Sequence, residues 1–387
     1  MASFSGLRDK YDNFRTPAVQ ILVGGKEISK DECGFALSNI EVESTAGYEA
    51  GVARFSIYNA YDVLFHEFKT KEVQKYITIG SAVVINMGYG TEFTKVFQGF
   101  VSQVTFSYRQ GDLPIIEVQA MDIKGIMMAN TYARQIAAES YSEAVSQVLN
   151  QAFYQKLKGD KNVFSKISIT DTPDKKQGGG KKETTDRTIE MVNESDYEFV
   201  VRAAKRYNYE FFQVLDTVYF RKAKSDKQSL MDIGPEDGMI AFEVSYDVTG
   251  LAGKVEVRNT DPAKGKLVKY AIKLDGKLSE SGKAKGLVGK QNKIFIDPTA
   301  STQQEAEYRA RYIRENMSYR YGTLEADTVG LPELVPGKFI SVDGLGKTVS
   351  NKFYVKTVRH SMMTDDRIYR THVTGIAEGL PAVSLPL

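Results

Sequence analysis

Side chains able to do acid–base, nucleophilic or metal chemistry are few and scattered in this sequence of 387 residues. Its three histidines, His66, His360 and His372, leave little material for the commonest proton-transfer chemistry near neutral pH. The single Cys33 excludes an internal disulfide, and no Cys/His spacing suits a structural zinc. Glu41/Glu43 and Asp365-Asp366 are carboxylate pairs of the kind that glycoside hydrolysis uses, but adjacent acids on a strand or turn point apart. Solvated surface charge is the simpler reading of both. Gly178 to Lys182 reads Gly-Gly-Gly-Lys-Lys, yet a phosphate-cradling loop needs an earlier glycine at fixed spacing and Ser or Thr after the lysine. Gly289-Lys290 fails the same test, being followed by Gln291 and preceded at the earlier position by Ala284. Both segments are expected to be flexible loops. No Gly-x-Ser-x-Gly elbow and no His-Glu-x-x-His appears. His360, between Arg359 and Ser361, reads as a polar core or surface histidine, and Cys33 as an inert small residue. The sequence therefore predicts no catalytic, cofactor-binding or metal-binding set.

The 22 tyrosines and 20 phenylalanines could stack the bases of single-stranded nucleic acid. Phe55, Tyr89, Phe100 and Phe106 instead alternate with polar residues, so core packing and subunit contacts explain them. No basic stripe accompanies them, and 51 basic against 49 acidic residues leave a formal charge of only +2. Specific nucleic-acid binding is not expected. Hydrophobic residues at 42% and charged ones at 26% describe an ordinary globular chain. Met1 to Thr16 lacks the apolar core of a signal peptide, and no run approaches the ~20 apolar residues that span a bilayer. The expectation is synthesis in a cytoplasm without a signal peptide, and no stable membrane insertion.

The elements that would hold these residues fall into three regions. Residues 1–125 have a period of two: Val19, Ile21 and Val23 before Gly24-Gly25, Ala53/Phe55/Ile57, Val83 to Tyr89, and Val96 to Tyr108 turning into Ile115 to Ala120. A short helix is expected around Tyr61 to Phe68. Residues 126–240 are mixed. Ser140 with Glu143, and Ser195 with Glu198, are capping boxes that open amphipathic helices. Asn208 then supplies a left-handed stop. Tyr209 to Val214 and Val218 to Arg221 follow as a hairpin, and 172–187 reads as a mobile surface loop. Residues 241–387 return to period two, with a polar stretch over 275–290 and a helical insertion near 300–318. The predicted fold class is mainly β with an α+β middle: two tandem antiparallel β-barrels flanking a mixed α/β domain.

Three ordered segments carry a resemblance. Lys95-Val-Phe-Gln-Gly-Phe-Val-Ser-Gln-Val, closing with Glu117-Val-Gln-Ala-Met-Asp122, resembles the end of the first barrel in phage tail baseplate hub proteins of the late-control D family. That family is similar to the hub portion of the VgrG spike proteins of type VI secretion. Asn193 to Phe212, followed by Val218-Tyr-Phe-Arg, resembles its central helix-hairpin. The helix around Ala306 to Arg314, then Gly330-Leu-Pro-Glu-Leu-Val-Pro-Gly-Lys-Phe-Ile and Tyr354-Val-Lys-Thr-Val-Arg-His360, fits the last third. The resemblance implies a structural protein and no enzyme: a homotrimer of pseudo-sixfold symmetry joining a sixfold tail tube to a threefold central spike. Its implied partners are itself, a separate spike protein, the tail tube or tube-initiator protein and other baseplate proteins, with the tape measure protein a further candidate. It would be assembled into the baseplate of a phage tail or contractile injection particle. Because the sequence stops at Leu387, soon after the last barrel strand, the spike is expected on another chain, and loops 172–187 and 275–290 are candidate contacts with other baseplate proteins. Two rival readings differ in class. A tail-associated peptidoglycan hydrolase needs a further domain, and no block of domain size is left for one. A carbohydrate- or receptor-binding tail module predicts aromatic clusters on loops, whereas these aromatics sit mainly in strands.

Overall fold

The computed structural model describes residues 3–30, 33–174, 188–260, 265–274, 286–346, 349–364 and 366–377. The chain is mainly β with an α+β middle, as its periodicity predicts. The strands of the two flanks, however, do not form separate closed barrels. They join in one 13-stranded sheet, and among the described residues no pairing closes it. The joint is the strand Leu37–Thr45, which pairs with Val52–Ile57 on one side and with Asn351–Met363 on the other. An unpaired strand edge presents bare backbone donors and acceptors, so each flank satisfies an edge of the other. Periodicity reports which face of a strand is buried and is silent about which distant strand lies beside it.

Register exposes a repeat. In the first flank, Leu37–Thr45, Val52–Ile57, Ala82–Tyr89, Glu92–Ser107 and Ile115–Met121 occur in this order along the chain. Across the sheet, Leu37–Thr45 is followed by Val52–Ile57, Ile115–Met121, Glu92–Ser107 and Ala82–Tyr89. Met239–Tyr246, Gly322–Val329, Phe339–Val342, Asn351–Met363 and Ile368–Ala377 repeat both orders in the second flank, all antiparallel. Each long strand carries a bulge: the register shifts between Val101 and Gln103 in one, and between Val355 and Thr357 in the other. Aligned on the bulge, Phe100 opposite Met121 matches Tyr354 opposite Ile376, and Val104 opposite Val118 matches Val358 opposite Val373. Even the turn bonds coincide. Gly80 N–H donates to Val101 O at 2.8 Å, and Gly337 N–H donates to Val355 O at 2.9 Å. Both glycines have positive φ, +90° and +85°. One apolar cluster runs through both repeats, from Ile21, Val42, Phe55 and Val118 to Ile340, Phe353 and Val373.

The middle region packs a second cluster around the helix Asp196–Tyr207. Ser195 caps it with Glu198 in a reciprocal box, and Asn208 ends it at φ +56°. Tyr209–Val214 turns into Thr217–Lys222, which also pairs in parallel with Lys166–Ile169. Tyr141–Leu149 is helical with Ser140 as its cap, and Gln303–Ser318 is helical with a Thr302/Glu305 box. That last helix covers one face of a three-stranded sheet made of Lys254–Thr260, Leu267–Lys273 and Asn292–Ile296.

One local expectation changes. Tyr61 to Phe68 is a hairpin of Tyr61–Asp62 with Glu67–Phe68, not a helix. The Asp62 carboxylate accepts from the Leu64 and Phe65 N–H groups at 2.9 and 3.1 Å, a local turn that competes with helix formation. Of loop 172–187 only 172–174 are described, and Thr188–Glu194 beyond it is a strand paired with Tyr132–Ala137. Of 275–290, residues 275–285 lie outside the described set.

Candidate functional site

Two sets of buried charges lie where the regions meet, and a third lies inside the middle region. Asp122 ends the first repeat and caps the helix Ile123–Met127. It accepts from Gly51 N–H at 2.7 Å and Lys124 N–H at 2.9 Å, and the fully buried Lys124 ammonium lies 3.6 Å away. That ammonium also donates to the Glu49 carbonyl. Burial pushes the Asp122 carboxyl up and the Lys124 ammonium down, each opposed by the other's charge. Next to the pair, Gln213 from the central hairpin accepts from Ile123 N–H at 3.2 Å and donates to Gln98 O at 2.9 Å. Glu210 does the corresponding work at the second flank. It takes the Tyr354 hydroxyl, the Arg221 guanidinium at 3.3 Å and Lys224 N–H at 3.0 Å. Asp196, at the start of the central helix, binds Arg134 at 2.9 Å and the Tyr154 hydroxyl at 2.8 Å. Charges paired in this way hold elements in register.

A fourth network ties the amino-terminal helix to the second flank. Glu333 accepts from Tyr11 at 2.6 Å and Lys10 at 2.9 Å, while Tyr89 donates to Gly330 O at 2.9 Å. Its rings continue inward as tilted contacts, Tyr11 to Tyr89 at 5.3 Å and Tyr89 to Tyr369 at 5.7 Å.

The residues singled out from sequence do not converge. His360 is buried, with Nδ1 3.0 Å from the Tyr369 hydroxyl and 3.1 Å from Thr371 Oγ1, and burial lowers its pKa to about 4. It is a neutral core histidine. His372 lies 2.9 Å from Asp327, and His66 sits in the exposed Tyr61–Phe68 hairpin. Cys33 Sγ, partly exposed, lies 3.1 Å from Glu27 O. Glu41 and Glu43, expected to point apart, instead share the outer face of the joint strand, opposite Ser361 and Arg359, because residues two apart on a strand project to the same side. Gly289 packs against Gly253 and leads into Asn292–Ile296, while 178–182 and Asp365 lie outside the described residues. Phe55 and Tyr89 are core residues, but Phe106 is 48% exposed. Among the described residues no group of three or more His, Cys, Asp or Glu could hold a metal.

A cleft of about 490 Å³ between the central helix and the insertion is lined by Arg202, Lys205, Arg206 and Arg309. Its arginines are paired, to Glu194 at 2.6 Å, Glu305 at 3.0 Å and Asp297 at 2.6 Å. The cleft is a stitched seam between elements.

Two sheet edges stand out instead. Among the described residues, Met239–Tyr246 pairs on one side only, with Gly322–Val329, and Gln103–Ser107 pairs on one side only, with Ile115–Gln119. Along them Ile240, Phe242, Phe106 and Tyr108 are exposed. Rings of the Tyr61–Phe68 hairpin flank the second edge, Phe68 to Phe106 at 5.2 Å and Tyr61 to Tyr108 at 6.4 Å. Sequence reading places these aromatics in strands but cannot see that the strands lie at edges.

A family model described as the Alg8 N-terminal domain matches residues 13–364. The chain belongs to the Alg8 N-terminal domain family. None of the curated proteins matches it. Among solved structures, this family member resembles the 43 kDa tail protein of prophage MuSo2 from Shewanella oneidensis. Identity is 14%, with 94% of this chain and 98% of that one covered, and the TM-score is 0.64. A tail protein from Neisseria meningitidis is similar at 12% identity, covering 95% and 98%, with a TM-score of 0.64. An Escherichia coli component of the type VI secretion system, described as structurally similar to bacteriophage T4 tail proteins, matches at 10% identity. It covers 91% of this chain and 76% of that one, with a TM-score of 0.52. The Alg8 N-terminal domain chain thus has the fold of phage tail proteins.

Proposed function

We propose that this chain is a structural hub subunit of a phage tail or contractile injection particle, of the late-control D type and without enzymatic activity. The carrying observation is the five-strand repeat, within a chain that shares 94–95% of its length with tail-protein folds. Three copies, each bringing two repeats, place six similar modules around one axis. That adapts a sixfold tube to a threefold spike, and the mechanism is geometric. The repeats correspond to flank domains 1–125 and 241–387, with 126–240 as the bracket that fixes their mutual angle through Gln213 and Glu210. The hub's partners are a separate spike protein, the tube or its initiator and other baseplate proteins. The protein is made in the cytoplasm and incorporated into the particle.

Mass photometry and negative-stain imaging of the full-length chain test this. The expected particle has about three times the 43.2 kDa chain mass and six density lobes in end view. A chain that stays monomeric at micromolar concentration, or that turns over purified peptidoglycan, would overturn the reading.

A further inference from the structure

Inside one chain the two repeats are joined by a specific ladder. Leu37–Thr45, the outer strand of the first repeat, lies on the long strand of the second, with Ile40 opposite Met362, Val42 opposite His360 and Glu41 opposite Ser361. The same architecture contains the reverse pair of surfaces. Met239–Tyr246 is the outer strand of the second repeat, and the end of Glu92–Ser107 is the corresponding part of the long strand in the first. Both edges lack a neighbouring strand among the described residues.

We infer that a second copy of this chain fills that vacancy: Met239–Tyr246 of one copy adds antiparallel to residues 103–108 of the next. The inference rests on the trimer reading and specifies its interface. The alignment of the repeats sets the register. Val42 corresponds to Val244, because each faces the strand position that pairs onward to Ala120 or Gly375. His360 corresponds to Phe106, four residues past the bulge in each long strand. Val244 therefore faces Phe106, Phe242 faces Tyr108 and Glu243 faces Ser107.

Burial supports the pairing independently. At the internal joint Ile40, Val42, His360 and Met362 are all at most 3% exposed. Their counterparts Phe242, Phe106 and Tyr108 are 43, 48 and 66% exposed. The positions are the same in the repeat, and the difference is the missing strand. Bare edges of this kind template pairing with another chain. Because the two edges are different surfaces, the contact is heterologous, and heterologous contacts close into rings when the rotation allows.

Engineered cysteines test the register. In a Cys33→Ser background, Glu243→Cys with Ser107→Cys places two thiols directly opposite each other, within disulfide reach. Mild oxidation of the full-length double variant is expected to give a covalent ladder that stops at three chains. Glu243→Cys with Phe106→Cys puts the thiols on opposite faces and is expected to give none. In parallel, Phe242→Lys alters a half-exposed side chain, leaves circular dichroism unchanged, and is expected to weaken association at least about tenfold. A wild-type chain that trimerises while the matched cysteines fail to cross-link and Phe242→Lys assembles normally overturns this contact alone. A wild-type chain that remains monomeric overturns both the contact and the trimer.

Discussion

At the scale of single residues, the chemistry-bearing side chains serve position. His360 is the clearest case, a histidine enclosed by Tyr369 and Thr371 and held neutral. Its folded pKa of about 4 lies below the ordinary 6.5, so the unfolded chain binds the extra proton first. The stability it contributes is complete above pH 6.5 and is lost as the pH falls towards 4. In urea titrations the wild type should lose about 2–3 kcal/mol more than His360→Gln over that window. Parallel stability profiles for the two proteins would refute the assignment. The sequence marked this histidine as a core or surface residue, because no second ligand lies near it. Asp122, Glu210 and Asp196 gave no such sign, since beside nearer partners each also binds one far away in the chain, Gly51, Tyr354 and Arg134.

Among elements, the helices were the most legible. The capping box at Ser195, the cap at Ser140 and the left-handed Asn208 are short-range signals that tertiary packing does not need to create. The hairpin at Leu215 to Thr217 was equally local. The Tyr61–Phe68 segment misled because its apolar spacing suits a helix while the Asp62 turn decides otherwise. The repeat was illegible for a different reason. Its signature is a bulge and a pattern of opposite neighbours, neither of which needs shared side chains. Gly99 shows how little freedom the long strand has near its bend. A β-carbon there would sit 2.2 Å from Met121 O and 2.8 Å from the Phe97 ring. Gly99→Ala should therefore cost about 1–3 kcal/mol in urea unfolding, through forced movement of the backbone. An unchanged midpoint would mean the sheet yields there.

For the whole molecule, the pairing of residues 40–45 with 357–362 makes the flanks one cooperative body. Hydrogen exchange should give Ile116–Ala120 and Val355–Val373 the same opening free energy, and Val42→Asp should lower both together. Exchange of one flank at much lower denaturant than the other would show that they unfold separately. Fold class was readable because period-two hydrophobicity reports burial directly. Closure was not, because whether a sheet ends, joins or curls back depends on contacts hundreds of residues apart.

The same joint has a mechanical side. Its rungs run across the strands, between Leu37–Thr45 and Asn351–Met363. A thrust directed along those strands loads every rung at once, whereas a force that peels them apart meets the rungs singly. A body built this way resists sliding far better than prying.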